Sequence, residues 1–425
     1  MTPPVETPSA AEVAEAQYLA TPRAIRERAE SIYQLGLAGE LAHFAIDESK
    51  LAPLAERVVQ IVRANYPDVR AIPSHTRFRH FGVGGIDRVA ALDAQLAGLS
   101  ADDRLCAKFE LAITSVLLDA GAGERWAYRE AGGKTYTRSE GLAVASYHLF
   151  TSGVLSDDPV AAPWRADANA LARFSEEELA RAFQVAPDNP LIGVDGRALI
   201  LRRLGEVIAS QPRLFGGGTS SPPRLGHLGV YLAAKAAKAA TTNAGVAPGT
   251  LPASAVFSAV LEGLGAIWPG REMCAGRNLG DVWTHPAVGR VPFHKLSQWL
   301  TYSLCEPLEQ RGVQITGVNE LTGLAEYRNG GLFVDGGVLV AKDARVLTVP
   351  HAVWSTVVVE WRALTIALLD RIAVEMRRLL GRSADELPLV KVLEGGTWRA
   401  GRELAKERRP DGGPPIRVQS DGTVF

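Results

Sequence analysis

The sequence predicts a mainly α protein with one small β-hairpin element near residues 313–348. Three observations predict it. Apolar residues make up 47% of the 425-residue chain, which is enough for a sizeable core. Several segments repeat their apolar residues at helical spacing. Only one stretch, Gly312 to Lys342, combines alternating apolar residues with Asn329-Gly330 and Asp335-Gly336, the chemistry of hairpin turns.

Residues 1–20 read as a flexible leader, because the opening MTPPVETPSAAEVAEA is polar, acidic and proline-rich. Residues 21–425 read as a single large mainly helical catalytic domain. Thr21-Pro22 opens a helix to Leu37, with Thr at the N-cap and Pro at the first position. A second helix, Leu51 to Asn65, carries Leu54, Val58, Val59 and Val62 on one face and stops at Tyr66-Pro67. Residues 73–88, PSHTRFRHFGVGGIDR, form a basic Gly-rich loop. Its Arg77, Arg79, His80 and Arg88 suit either a phosphate grip or a polar turn whose arginines are tied to carboxylates such as Asp87.

Arg104 to Ala120 is apolar on most sides, so the helix it forms is central to a core. Asp119 near its end opposes the helix dipole and needs a partner. Gly132-Gly133-Lys134 makes a hairpin turn ahead of an apolar helix through Phe150. Ser175 and Glu178 form a capping box, and Asp195 to Ile208 is amphipathic. Residues 211–225 and 241–253 are rich in Gly, Ser, Thr and Pro and read as mobile loops within the domain. Phe293 to Leu304 is an apolar helix opened by Val291-Pro292 and bounded by Glu306-Pro307, and Ser355 to Leu380 is a long helix.

The net charge of −1 and pI near 6.7 argue against a nucleic-acid partner. Cys106, Cys274 and Cys305 have neither disulfide nor CxxC spacing. No signal peptide is evident, and no apolar run reaches the roughly 18–20 residues of a membrane span. The chain therefore reads as soluble and cytoplasmic. No metal and no cofactor are implied.

The chemistry gathers between Trp268 and Pro307. Asp281 stands beside Trp283, among Arg271, Arg277 and Arg290. His294, Lys295 and Gln298 follow in the apolar helix, where polar groups need partners or a task. No Ser-His-Asp order, GxSxG, HExxH, P-loop or GxGxxG pattern is present. What remains is a set of acids in apolar settings: Asp119, Asp281, Glu306 and Glu360, the last beside Arg362. Perturbed acids concentrate at functional sites, although Glu360 and Arg362 are equally suited to structural ion pairs. Carboxylates with aromatics suit cleavage of a glycosidic bond through an oxocarbenium-like transition state.

RHFGVGGIDR, SVLLDAGAG, GDVW, PFHKLSQWLTYSL, VLEGGTWRAGRE and the terminal SDGTVF resemble the uracil-catabolism protein four family, nearly end to end. That resemblance implies a role in uracil breakdown without ring reduction, at a step where a ribosylurea-type intermediate releases urea. A second, fainter resemblance is to the queuosine-nucleotide N-glycosidases, which have a helix-hairpin-helix DNA-glycosylase-like fold. It rests on Pro22-Arg23, on Gly132-Gly133-Lys134 in place of an Asn-Gly-Lys turn, on Asp281-Val282-Trp283 and on Glu360-Trp361-Arg362. The second acid of those enzymes would fall on Leu304; the nearest acid here, Glu306, comes two residues later.

Together the resemblances imply Asp281, Glu306 and Glu360 as catalytic acids. Trp283, Lys295, Gln298, Arg362, Asp119, Arg277, Arg79 and His80 are then substrate-binding candidates. The substrate would be a nucleoside- or nucleotide-derived small molecule, a ribosylurea or its 5′-phosphate. Two other readings stay open: an amide-hydrolysing or ring-opening step on a pyrimidine nucleotide, and a non-catalytic binding module.

Overall fold

The computed structural model describes residues 8–217, 222–242, 247 and 249–419. It is mainly α, and its strands occur as two-stranded pairs. The chain forms two compact units, each assembled from non-contiguous segments. Of the described residues, the first comprises 8–74, 268–295 and 319–419; the second comprises those of 75–267 and 296–318.

The first unit is built on the helix Thr356–Leu380, whose residues from Val357 to Leu369 are buried without interruption. A mostly apolar stretch buried in this way needs cover on every side. The helices Pro22–Leu37, Leu51–Asn65 and Tyr327–Asp335 and the hairpin strand Val282–His285 supply that cover. Thr21 caps Pro22–Leu37 by accepting the Ala24 amide at 3.1 Å, as its sequence predicts. Where a flexible leader was expected there is instead the helix Ala10–Leu19, fixed by a reciprocal capping box between Ser9 and Glu12. It buries Ala16 and Leu19 against Cys274, Leu279 and Val282.

The expected hairpin near 313–348 is not formed. Leu339–Ala341 pairs antiparallel with Phe44–Ile46, and Gln314–Thr316, in the second unit, pairs parallel with Thr250–Pro252. Asn329-Gly330 lies inside the helix Tyr327–Asp335, because the Glu326 carboxylate accepts the Arg328 and Asn329 amides at 2.8 and 2.6 Å and starts a helix there. Gly330 serves close packing rather than a turn: a Cβ there would stand 2.7 Å from the Trp361 indole. Local turn chemistry loses to tertiary packing.

In the second unit the helices Ala101–Leu117, Arg138–Thr151 and Val194–Ser210 form the core, with the antiparallel pair Ala127–Arg129 and Thr135–Thr137 around the predicted Gly-Gly turn. Glu110, embedded in the first of these, is fully buried and bidentate with Arg224 at 2.7 and 3.0 Å, so its charge is matched. The helix expected over 293–304 runs instead over Lys295–Gln310. Val291-Pro292 belongs to a strand, and Pro307 lies within the helix; the ladder continues beyond it, the Arg311 amide meeting the Pro307 carbonyl at 3.0 Å.

Of the segments read as mobile, residues 218–221, 243–246 and 248 lie outside the described residues, as do the terminal residues 420–425. Among the described residues no helix is long and apolar enough to cross a membrane.

Candidate functional site

Asp281 closes a turn and immediately precedes the strand Val282–His285, which pairs with Gly289–Pro292. Gly280 sets that turn with φ +65°, a conformation that costs other residues about 1–2 kcal/mol. Successive side chains alternate along an extended chain, so Trp283 shares a face with Asp281. Its indole Nε1 donates to Asp281 Oδ1 at 2.8 Å. Arg362 comes from the central helix and makes a two-pronged bond, Nη1 to Oδ1 and Nη2 to Oδ2, both at 2.7 Å. The Lys295 backbone amide donates to Oδ2 at 3.0 Å. Four donors therefore occupy a carboxylate that offers about four lone-pair positions. Burial pushes the Asp281 pKa up, but Arg362, the Lys295 amide and Trp283 outweigh it and hold the group well below the usual carboxylate range.

The turn around this carboxylate is itself unusual. The Phe293 amide bonds the Asp281 carbonyl at 2.9 Å and the His294 amide does so at 3.4 Å, while His294 adopts φ +46°. A buried histidine in the left-handed region is held there by its surroundings. Its Nε2 lies 2.9 Å from the Leu19 carbonyl, which can only accept, so Nε2 carries the proton. Burial pushes its pKa down, with Asp281 partly opposing. Phe293 presents its ring 4.1 Å from the Arg362 guanidinium carbon, and Arg271 lies 5.2 Å over the Trp283 ring.

Glu360 is also buried but does not pair with Arg362. It accepts the amides of Ala42 and His43 at 3.2 and 3.1 Å, and His285 Nε2 stands 3.6 Å away. Two helix residues apart point in different directions, so Glu-x-Arg serves two separate clusters. Lys295 contributes its amide to Asp281, and Arg277 is exposed in the hairpin Met273–Cys274/Arg277–Asn278.

The remaining candidates belong to the second unit. Asp119 accepts Arg77 Nη1 at 2.8 Å and the Ser139 hydroxyl at 2.5 Å, which resolves its adverse position at a helix end. Glu306 takes Arg79 at 2.5 Å and the Thr76 hydroxyl at 2.9 Å. Arg88 pairs with Glu130, so all three arginines of the Gly-rich loop are tied to carboxylates, while Asp87 caps the helix Arg88–Leu96. His80 packs edge-on against Trp299 at 5.4 Å, and Gln298 is fully buried. Among the described residues no group of three His, Cys, Asp or Glu side chains is placed to hold a metal ion.

Sequence reasoning gave too little weight to His294, His285 and the amides of residues 42–43. For His285 the adjacent His-Pro break was a signal. The amides had none, since a backbone donor carries no residue type. For His294 the signal was its position directly after the apolar Val291-Pro292-Phe293.

The family described as "Protein of unknown function (DUF1688)" matches residues 18–425. The chain belongs to the DUF1688 family. Within it, the chain is similar to "Protein urg3" of Schizosaccharomyces pombe, 39% identical over 410 residues, covering 94% of this chain and 96% of that protein. It is also similar to "Uracil catabolism protein 4" of Lachancea kluyveri, 37% identical over 422 residues, covering 91% and 93%. The Asp281 centre and the Arg77 loop both fall inside the DUF1688 match.

Proposed function

We propose that this protein acts in uracil catabolism as an N-glycosidase, hydrolysing a ribosylurea or its 5′-phosphate to urea and ribose or ribose phosphate. The pathway is supported by the name of the Lachancea kluyveri relative. The reaction is supported chiefly by one observation: Asp281 is a carboxylate held ionised at neutral pH, beside an indole, in a largely buried setting. The mainly helical fold and the acid-x-Trp arrangement are in keeping with a glycosylase-like frame.

In the reaction the C1′–N bond breaks, and its electron pair leaves with the urea nitrogen. The ribosyl centre becomes cationic and water adds its oxygen to C1′. A fixed negative charge lowers the energy of that cation, and it needs no reorganisation as the charge develops. Asp281, already engaged by four donors, acts through charge rather than as a nucleophile. Held below the usual carboxylate range, it also cannot protonate the leaving nitrogen, so a second group does so. Within the unit that holds Asp281, Glu360 is the carboxylate to test. Glu360, enclosed by two amides and His285, is suited to positioning.

Thiol-based amide hydrolysis is the weaker reading, because burial pushes Cys106 up to about 12 and Cys305 higher still, away from the thiolate. The deciding experiment incubates the protein with N-ribosylurea and, separately, its 5′-phosphate, measuring urea and reducing sugar together. Equal release of both is expected, lowered by about 10²-fold or more in a folded Asp281→Asn variant. Absence of both products from both substrates overturns the reading.

A further inference from the structure

The strand Val282–His285 is docked on the central helix Thr356–Leu380 at both ends, by pairs of opposite polarity. Where the strand begins, its carboxylate meets a cation of the helix: Asp281 and Arg362, at 2.7 Å. Where it ends, an imidazole of the strand faces a carboxylate of the helix. His285 Nε2 stands 3.6 Å from Glu360 Oε1, an electrostatic contact too long for a hydrogen bond. His285 is 4% exposed and Glu360 1%. Glu360 is itself tied to a third segment, since its two oxygens accept the Ala42 and His43 amides at 3.2 and 3.1 Å.

The proton of His285 is placed by its own turn. The Ala287 amide donates to His285 Nδ1 at 3.3 Å, and only a lone pair can receive it, so the ring proton sits on Nε2, the nitrogen facing Glu360. The His285 carbonyl accepts the Val288 amide at 3.2 Å and closes the hairpin. His285 therefore joins the closed end of the hairpin to the helix, as Asp281 joins the open end. There the Asp281 carbonyl takes the Phe293 amide while its carboxylate takes Arg362.

Apolar packing does not secure the closed end. The buried apolar residues of the hairpin, Val282, Val291 and Pro292, all sit toward the open end, whereas Thr284 and Gly289 are exposed and Arg290 partly so. A four-residue strand with a single neighbour has little backbone pairing to hold its register, and a slip of one residue turns each side chain to the other face. Asp281, Trp283 and His285 share one face by alternation, so holding His285 helps to hold all three. We infer that His285, docked on Glu360, is a positioning residue for Asp281. It touches no reacting atom, and it fixes the register and angle of the strand so that the Asp281 carboxylate is presented where the cation develops.

The effect on turnover rests on the proposed hydrolysis; the effect on geometry does not, and the two are read separately. The Trp283 indole N–H, which donates to Asp281, reports the geometry, and its resonance is identified by its loss in Trp283→Phe. His285→Asn keeps an acceptor for the Ala287 amide and withdraws the donor from Glu360, whereas His285→Gln keeps a donor that reaches as far as Nε2. In the full-length protein His285→Asn should move the Trp283 resonance and lower kcat on N-ribosylurea by about tenfold or more, with KM changed by less than about twofold. His285→Gln should lie nearer wild type in both readouts. Glu360→Gln, which leaves one of the two backbone amides without an acceptor, should resemble His285→Asn. The inference is overturned if folded His285→Asn leaves the Trp283 resonance in place, if His285→Gln moves it as far, or if it moves with kcat unchanged. If Glu360→Gln does not fold, the two His285 variants decide. If the wild type releases neither urea nor sugar, the hydrolysis fails and the Trp283 resonance alone decides the positioning.

Discussion

Arg362 in the first unit and Arg77 in the second are both buried arginines facing a carboxylate, yet their surroundings differ. Around Arg362 the account is closed: its two prongs, an indole and a backbone amide saturate Asp281. Around Arg77 it is open, with one guanidinium nitrogen and a neighbouring indole lacking acceptors among the described residues. Saturation fixes the carboxylate in place and keeps it ionised at neutral pH. A buried donor left unmatched instead costs about 1–3 kcal/mol. The same residue types are thus fully matched in one unit and incompletely matched in the other.

The strongest way to break this comparison is Arg362→Met. It leaves Asp281 buried without its cation, and unfolding in denaturant should show a loss of about 3–5 kcal/mol. A loss below about 1 kcal/mol would mean that the pair is not closed in solution. The next test is acidification. The folded Asp281 titrates below its unfolded value of about 3.9, so its stabilisation is complete above that pH and disappears as pH falls through the range beneath. The stability gap between wild type and Asp281→Asn should therefore be widest at neutral pH and close below about pH 4. Glu130, drawn down to about 2 mainly by its bond from Arg88, weakens both proteins over the same range and cancels in the difference.

A finer test compares the two indoles. Trp283→Phe removes a bond that is made and should cost about 1–2 kcal/mol, while Trp299→Phe removes a donor that is not and should cost less, measured by thermal unfolding. Equal losses would erase the distinction. Smallest of all, Glu306→Gln breaks a partly exposed pair with Arg79 and should change stability by about 1 kcal/mol or less.

The helices were legible because their signals are local: Thr21-Pro22, Ser175 with Glu178, and the apolar spacing of Leu51–Asn65 all act within a turn or two. The hairpin at Asn329-Gly330 was misread because the deciding contacts, Trp361 and the Glu326 cap, outweigh a two-residue turn preference. At the site, Asp281 with Trp283 could be found from adjacency alone. Its pairing with Arg362 could not, since those residues are separated by 81 positions and Glu360 is the nearer acid in the sequence. The Glu360 cluster was equally hidden, being built from the amides of residues 42–43.

The helix Ala10–Leu19 has a practical consequence. Its composition invites trimming, by a protease in a cell extract or by design. Removal back to Thr21 would strip the Leu19 carbonyl from His294, uncover Cys274, Leu279 and Val282, and free Arg290 from Glu15. The turn that wraps Asp281 would lose its outer brace. Nicked preparations should then contain folded protein with impaired turnover, and the intact N-terminal segment becomes a quality criterion for any activity assay.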